Sequence, residues 1–214
     1  MLRSVTPELL DSLPPDSPAA VHSRRDLVWF NRLLGTNRWW AQTLPRLQRE
    51  NPTHRALEVG AGDGLLASRY HLNALDLCLP PRNWPATATW HQHDALAFPA
   101  WADYSLIVAN LFLHHFSTEQ LGHLGHIWDQ SARTLVVCEP WRARLFQPGF
   151  ALLCRLIRAH AVSRHDGHVS IAAGFRADEL PLLLGLTRDR WQIDITHHPL
   201  GTYRMIAQRR QTSP

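Results

Sequence analysis

The stretch Ala56-Leu57-Glu58-Val59-Gly60-Ala61-Gly62-Asp63-Gly64-Leu65-Leu66 decides the fold of this chain. An apolar run leads into three alternating glycines, a pattern that predicts a buried strand, a tight turn and the start of a helix. Glycine lets the backbone turn and a ligand approach it, and the following helix offers free N–H groups. Open α/β sheets bind ligands at the carboxyl ends of their strands, so this turn is predicted to hold a small molecule. A glycine turn without a ligand is the alternative.

The spacing of the glycines distinguishes two kinds of ligand. The dinucleotide fingerprint needs a third glycine where this chain has Leu65, whereas the third glycine here is Gly64 and an acid, Glu58, precedes the first one. This acid-x-Gly-x-Gly-x-Gly pattern resembles motif I of class I S-adenosylmethionine (SAM)-dependent methyltransferases. The ammonium and sulfonium groups of SAM favour a nearby acid, which would repel a pyrophosphate. The pattern therefore disfavours a nicotinamide oxidoreductase.

The resemblance implies a cofactor site along three further strand ends. Asp76 ends the predicted second strand, Ala74–Leu77, where the family has an acid that binds both ribose hydroxyls. Asp94 and Ala95 follow the predicted third strand, residues 87–93, at the family's adenine position. SAM is thus the expected cofactor and S-adenosylhomocysteine the expected product. The expected cofactor residues are Glu58, Gly60, Ala61, Gly62, Gly64, Asp76, Leu77, Asp94, Ala95 and Asn110.

The segment from Tyr104 to Phe116 is predicted to be a fourth strand running into a loop. It resembles the methyltransferase pattern x-D-x-I-V-x-x-x-x-L-H-H-F, with Ser105 in place of the usual aspartate. The resemblance places Asn110 near the methionine end of SAM. Enzymes that methylate nucleic-acid amino groups carry Asn/Asp-Pro-Pro-Tyr/Phe at this point. Neither proline is present here, which counts against a base-modifying enzyme.

Histidines near the ends of the fourth and fifth strands are the candidates for proton transfer, because histidine titrates where a base is useful. Each has a structural alternative, and an ionisable phenolic or enolic acceptor needs no base. Charged side chains after the fifth strand and in a polar loop predicted over residues 163–170 are candidates for binding the acceptor. The candidate catalytic residues are His115, His165 and His114, and the candidate substrate-binding residues are Glu139, Arg142, Arg164 and Asp166.

These elements predict an α/β, Rossmann-like three-layer sandwich around a mostly parallel seven-stranded sheet. An antiparallel C-terminal hairpin, Trp191–His198 with residues 202–207, completes the sheet, the first helix is short, and prolines make the second crossover irregular. A single domain is expected, with residues 1–50 as an N-terminal arm and helical lid and residues 51–214 as the SAM-binding domain. Prolines and polar residues predict that residues 1–22 form a loose arm. Helices are predicted at Ser23–Gly35 and Arg38–Arg49, a segment that resembles the lid of quinone-biosynthesis methyltransferases. Two helices that only close the core are the alternative.

Composition limits the partners. The chain has 214 residues and a net charge of +4, and all 22 of its basic residues are arginines scattered along the sequence, which argues against a nucleic-acid surface. Its three cysteines form no C-x-x-C pair, and His91 with His93 lacks a third ligand, so no metal site is expected. No apolar run reaches membrane-spanning length, and no signal pattern is present. We expect a cytoplasmic protein and leave a homodimer open.

The expected acceptor is a small, largely apolar molecule of phenolic, quinone-like or polyketide type, methylated on oxygen. A long helix predicted over Leu145–Ala161, with Phe146 and Phe150, and the preceding Trp141 favour an apolar pocket. The alternatives are C-methylation of a quinone-type ring, an RNA or protein methyltransferase, and a SAM-binding partner subunit without catalysis.

Overall fold

The computed structural model describes residues 1–14 and 16–210, and within them the chain forms one seven-stranded sheet flanked by helices. None of the described helices is long and apolar enough to cross a membrane. The strands are β1 (Ala56–Val59), β2 (Asn73–Asp76), β3 (Trp90–Gln92), β4 (Leu106–Asn110), β5 (Thr134–Pro140), β6 (Trp191–His198) and β7 (Thr202–Arg209). The helices are α1 (Leu9–Ser12), α2 (Pro18–Leu33), α3 (Thr36–Glu50), α4 (Leu65–Tyr70), α5 (Thr118–Ser131), α6 (Phe146–Leu156), α7 (Ala161–Ala173) and α8 (Glu179–Leu183).

The strand order is β3-β2-β1-β4-β5-β7-β6. The first five strands are parallel, and β7 inserts antiparallel between β5 and β6. The central strands β1, β4 and β5 are largely buried, which agrees with their continuous apolar sequences. The strand order reverses between β1 and β4, and this switch point places the carboxyl ends of β1, β2 and β4 beside one another. The predicted fold class and the C-terminal hairpin are confirmed.

Two apolar layers enclose the sheet. The larger core contains residues of α5 and α8 such as Leu121, Trp128 and Leu180, packed on one face of β1, β4 and β5. On the opposite face, Trp40 and Leu44 of α3 pack with residues of α4. The sandwich is therefore three-layered, and α3 from the predicted lid segment belongs to the core.

The region around the first two crossovers has the predicted irregularities. The short helix α4 is the only helix between β1 and β2, and the chain from β2 to β3 has no helix. The third strand is shorter than the predicted residues 87–93. A turn in which the Ala88 N–H donates to the Pro85 carbonyl (3.1 Å) keeps the preceding residues out of the ladder, and pairing starts at Trp90.

The segment after β5 differs from the prediction. The prediction of a single helix over Leu145–Ala161 was wrong. The helix ends at Leu156, and Arg158 has a left-handed φ of 54° that interrupts the helical conformation. The polar stretch 163–170 is not a loop but the body of α7. Its polar side chains have partners on the N-terminal segment: Ser163 donates to Asp26 (2.7 Å), for example. These contacts explain why a polar sequence forms a packed helix.

The N-terminal segment is more ordered than the predicted loose arm. Ser17 caps α2, which begins at Pro18, earlier than the predicted Ser23, and a left-handed Gly35 follows its end. Before α2, Arg3 donates to the carbonyls of Ala173 (2.9 Å) and Phe116 (2.8 Å). The first residues therefore lie across α7 and the loop after β4.

Candidate functional site

The glycine turn after β1 has the left-handed backbone that its sequence demands. Gly60, Gly62 and Gly64 have φ values of 65°, 58° and 70°. A β-carbon on Gly62 would meet no atom within 4 Å, whereas one on Gly60 would overlap the ring of Phe112. The middle of the turn is therefore open backbone, and Phe112, which the sequence did not indicate, forms a wall beside it.

Asp76 ends β2 and joins the glycine turn. Its carboxylate accepts the N–H groups of Gly62 (2.8 Å) and Cys78 (2.8 Å), one on each oxygen. A carboxylate oxygen has lone pairs for more than one donor, so Asp76 can also accept from hydroxyl groups. The residue lies where the sequence predicted an acid for the ribose.

The turn has an excess of acidic side chains: Glu58, Asp63 and Asp76 lie here, and the charge of Arg24 acts on Asp63. Glu58 is buried, and its Oε2 has no hydrogen-bond partner among the described residues. Burial raises the pKa of Glu58 well above its usual value; a hydrogen bond from Ala67 opposes this shift, and the charges of Asp63 and Asp76 add to it. Burial likewise raises the pKa of Asp63. A cation bound here would offset the charge of these side chains, whereas a phosphate would add to it.

The expected adenine side is only partly formed by the predicted residues. The exposed Asp94 accepts the N–H of Leu96 (2.9 Å) and so begins a short 3-10 turn, and Ala95 is buried behind it. Leu77 is 70% exposed. The ring of Trp84 lies directly against Gly64.

Asn110 ends β4 and binds a residue of the N-terminal helices. Its Oδ1 accepts the indole N–H of the buried Trp40 on α3 (2.8 Å). Leu111 then adopts a left-handed φ of 54° and donates its N–H to the Cys138 carbonyl (2.8 Å). The loop after β4 is therefore held from both sides at the predicted methionine end of the site.

His114 is the centre of a buried hydrogen-bonded chain. Its Nδ1 donates to Oε2 of Glu139 (2.7 Å), and its Nε2 lies 3.3 Å from Oε1 of Glu8. The other oxygen of Glu139 accepts the N–H groups of Phe112 (2.9 Å) and Leu113 (2.7 Å). Burial alone would lower the pKa of His114, but the two carboxylates outweigh it and raise the pKa to about 9. His114 is therefore an imidazolium at neutral pH and is poorly suited to accept a proton.

His115 has the opposite electrostatic character. Burial and the neighbouring charge of His114 lower the pKa of His115 to about 4. The two rings are 4.2 Å apart, and the nearest carboxylate oxygen, on Asp11, is 3.6 Å from Nδ1. His115 is therefore a neutral imidazole over the physiological pH range, with an unprotonated ring nitrogen but a low basicity.

Acids from the N-terminal arm complete this side of the site, and the sequence did not indicate them. Glu8 binds His114 and also accepts the hydroxyl of Ser170, and Asp11 lies beside His115. Ligand atoms of Glu8, His114 and His115 lie within 4.8 Å of one another, a spacing that a metal ion can use. The two nitrogens of His114 already have the carboxylates of Glu139 and Glu8 as partners, so the group is satisfied as a hydrogen-bonded chain.

Three of the predicted residues lie on α7. The buried Asp166 accepts the N–H groups of Leu9 (2.8 Å) and Leu10 (3.0 Å), and so anchors α1. His165 is exposed, with Nδ1 3.0 Å from Oδ1 of that aspartate. Arg164 is exposed on α7. Asp166 thus has an architectural role in this fold.

Arg142 and Glu139 are likewise engaged within the fold. The buried Arg142 donates to the carbonyls of Gly174 (3.0 Å) and Met1 and pairs with Glu179. It borders a shallow cavity of about 610 Å³ next to α8. Both oxygens of Glu139 accept hydrogen bonds from the His114 loop, and the guanidinium of Arg142 is bonded as described. The side chains of these two residues therefore hold the site and the arm in position.

No protein-family model matches the sequence, and no curated protein matches it. Solved structures do match. The 1,6-didemethyltoxoflavin-N1-methyltransferase of Burkholderia thailandensis, with its acceptor and S-adenosylhomocysteine bound, is 16% identical, with a TM-score of 0.54 and 93% of each chain covered. The magnesium protoporphyrin IX methyltransferase of Synechocystis, with S-adenosylhomocysteine bound, is 15% identical, with a TM-score of 0.52 over 82% of this chain and 84% of that one.

The methyltransferase domain of bacterial CtHen1 is 11% identical, with a TM-score of 0.58 over 82% of this chain and 98% of that one. At such identities the likeness concerns the fold. The chain has the Rossmann-like fold of class I methyltransferases, and the resemblance drawn from the glycine turn is confirmed at that level.

Proposed function

We propose that this protein is a SAM-dependent methyltransferase that methylates an oxygen of a small, largely apolar molecule and releases S-adenosylhomocysteine. The observation that carries the proposal is the glycine turn with open backbone at Gly62, flanked by the carboxylates of Glu58 and Asp76, at the switch point of this sheet. The solved structures of this fold with bound S-adenosylhomocysteine support the same cofactor.

Charge supports SAM over a nucleotide that carries a pyrophosphate. The buried Glu58 has an unpartnered oxygen, and Asp63 and Asp76 lie close enough to raise its pKa. The ammonium and sulfonium groups of SAM neutralise such a site, whereas two phosphates add like charge to it. The ribose hydroxyls would donate to Asp76, and the loop from Asn110 would receive the methionine end.

His115 is the residue we propose as the base. Bound SAM would supply the methyl group from its sulfonium, and a ring nitrogen of His115 would take the proton of the acceptor hydroxyl. His114 acts as a positioning residue, because its charge keeps His115 neutral and its bonds to Glu139 and Glu8 fix the loop. The earlier candidate His165 is exposed and bonded to Asp166.

The surroundings favour an apolar acceptor. The rings of Phe112 and Phe116 form an edge-to-face pair in the loop that carries His115, and Trp141 packs on Phe146 beyond β5. The matching structures named for 1,6-didemethyltoxoflavin and magnesium protoporphyrin IX act on small ring compounds, which supports a small acceptor here. We further propose that the N-terminal arm before α2 serves as a lid, because Glu8 and Asp11 lie against the loop after β4, whereas α3 belongs to the core.

The test combines calorimetry with a turnover assay. Titration with SAM should give saturable binding, and incubation with a panel of phenols, hydroxyquinones and amines should yield a methylated phenol detected by mass. His115→Gln should leave SAM affinity unchanged and lower turnover by about 100-fold or more, the usual contribution of a general base. His165→Gln is the matched control and should behave as wild type. Absence of SAM binding would overturn the proposal, and turnover with a charged amine alone would overturn its substrate class.

A further inference from the structure

The solvent-facing sides of α2 and α6 carry large apolar residues where a soluble surface is ordinarily polar. Trp29 on α2 is 48% exposed, and Leu152 and Leu156 on α6 are 58% and 73% exposed. The spacing of the exposed residues follows the helical period, so each helix presents a stripe rather than isolated side chains. We define the α2–α6 face as Val21, Arg25, Val28, Trp29, Arg32 and Leu33 with Leu145, Leu152, Arg155, Leu156 and Arg158.

The two stripes are neighbours in space. Phe30 of α2 packs on Phe150 of α6, with ring centroids 5.1 Å apart, and Phe30, Cys154 and Ala159 form a small buried cluster between the helices. The apolar residues of the stripes lie on the outer sides of this cluster. They therefore form one surface supported by a packed interior.

The charges of this face have a single sign. Its four arginines form no ion pair with a described carboxylate, and the guanidinium of Arg32 lies 5.8 Å from the ring of Trp29. The one acid of α2, Asp26, is turned inward and accepts from the backbone of His160 (2.8 Å) and the hydroxyl of Ser163. Helix α6 contains no acid. Apolar side chains and arginines thus alternate without a counter-charge.

We propose that the α2–α6 face docks on the surface of an anionic phospholipid bilayer. Leucine, valine and tryptophan side chains enter the boundary between headgroups and acyl chains, and the arginines meet the lipid phosphates. A second copy of the chain fits less well, because a two-fold contact would bring the arginines of both copies together. RNA fits less well because leucine and valine give nothing to its phosphates.

The α2–α6 face lies close to the candidate site. Helix α6 packs on α7 through the Phe150 and His168 rings, 5.7 Å apart, and α7 packs on the turn that contains His115. An apolar acceptor dissolved in the bilayer would thus reach the site beside the docked surface. This last step rests on the proposed function, whereas binding to the bilayer does not.

Flotation of the full chain with vesicles tests the docking without any methyl transfer, so its failure is separate from a failure of the enzyme assay. Binding is expected to vesicles in which phosphatidylglycerol replaces about a third of the phosphatidylcholine, and little to phosphatidylcholine alone. Arg25→Gln with Arg155→Gln should weaken binding about 30-fold, since each arginine contributes about fivefold near an anionic surface. Leu152→Gln with Leu156→Gln should weaken it by at least tenfold.

The matched control is Leu182→Gln on α8, which removes an equally exposed leucine (75%) from a helix that packs on α5 and should not alter binding. Thermal unfolding is used to check that each variant folds. If a double variant does not fold, the variant Trp29→Ser is tested in its place. The proposal is overturned if the chain does not bind vesicles, or if the double variants bind them as well as the wild type does. It is also overturned if the face instead forms a concentration-dependent dimer or an RNA complex that the double variants lose.

Discussion

Replacing Gly62 with alanine separates backbone strain from ligand contact at the glycine turn. Gly62 has a φ of 58°, and a β-carbon there would meet no protein atom within 4 Å. The alanine N–H can still donate to Asp76, so the folded protein loses no hydrogen bond. A left-handed alanine costs about 1–2 kcal/mol, and the less flexible unfolded chain recovers part of this. A net loss of about 1 kcal/mol lowers Tm by roughly 2–4 °C for a chain of this size.

Cofactor binding should suffer far more than stability. The new methyl group stands where the cofactor must approach the backbone, and we expect SAM affinity to fall at least tenfold, about 1.4 kcal/mol. Gly185→Ala is the matched control: its φ is 66°, a β-carbon there is equally free of contacts, and it follows α8, outside the proposed site. It should lose the same stability and keep wild-type affinity.

The measurements are thermal unfolding and calorimetric titration with SAM for both variants. Wild-type affinity in a folded Gly62→Ala protein would refute the placement of the cofactor at this turn. An equal loss of affinity in Gly185→Ala would show that strain in general, and not contact at Gly62, governs binding.

Two further predictions concern stability. Because the pKa of His114 is raised from 6.5 to about 9, the stability that its protonation provides, roughly 3 kcal/mol, is fully present below pH 6.5 and lost as pH rises through 9. Glu139→Gln should flatten this decline in urea unfolding series, and an unchanged pH slope would contradict the pairing. Gly167→Ala should cost about 1–3 kcal/mol, because its β-carbon would overlap the ring of Phe150. Gly149→Ala, in the interior of α6 and free of contacts, should stabilise by about 0.5–1 kcal/mol, and equal effects of the two variants in thermal unfolding would contradict that packing.

The sequence was sufficient for the strands and the glycine turn because their determinants are local. The apolar runs of β4 and β5 predict buried parallel strands, and the spacing from Glu58 to Gly64 predicts the turn. Asp76 could be placed because a strand end follows directly from the strand before it. None of these inferences needed knowledge of a distant partner.

The features that the sequence did not reveal depend on pairing across the chain. Glu8 and His114 are 106 residues apart, and no local pattern announces such a contact. Asp166 was interpreted as a loop residue because its partners, the N–H groups of Leu9 and Leu10, belong to a segment that looked unstructured. The break after α6 occurs at Arg158, where arginine takes a conformation usually given to glycine or asparagine. Local propensity predicts a continuous helix there.

The docking of the N-terminal arm has a consequence for the order of folding events during synthesis. Arg3 bonds to a carbonyl 170 residues further along the chain, and Leu9 to a carboxylate 157 residues away. During synthesis the arm leaves the ribosome well before these partners, which lie more than 150 residues further along the chain. Contact between the arm and α7 is therefore a late event of folding, because it cannot form before α7 has been made.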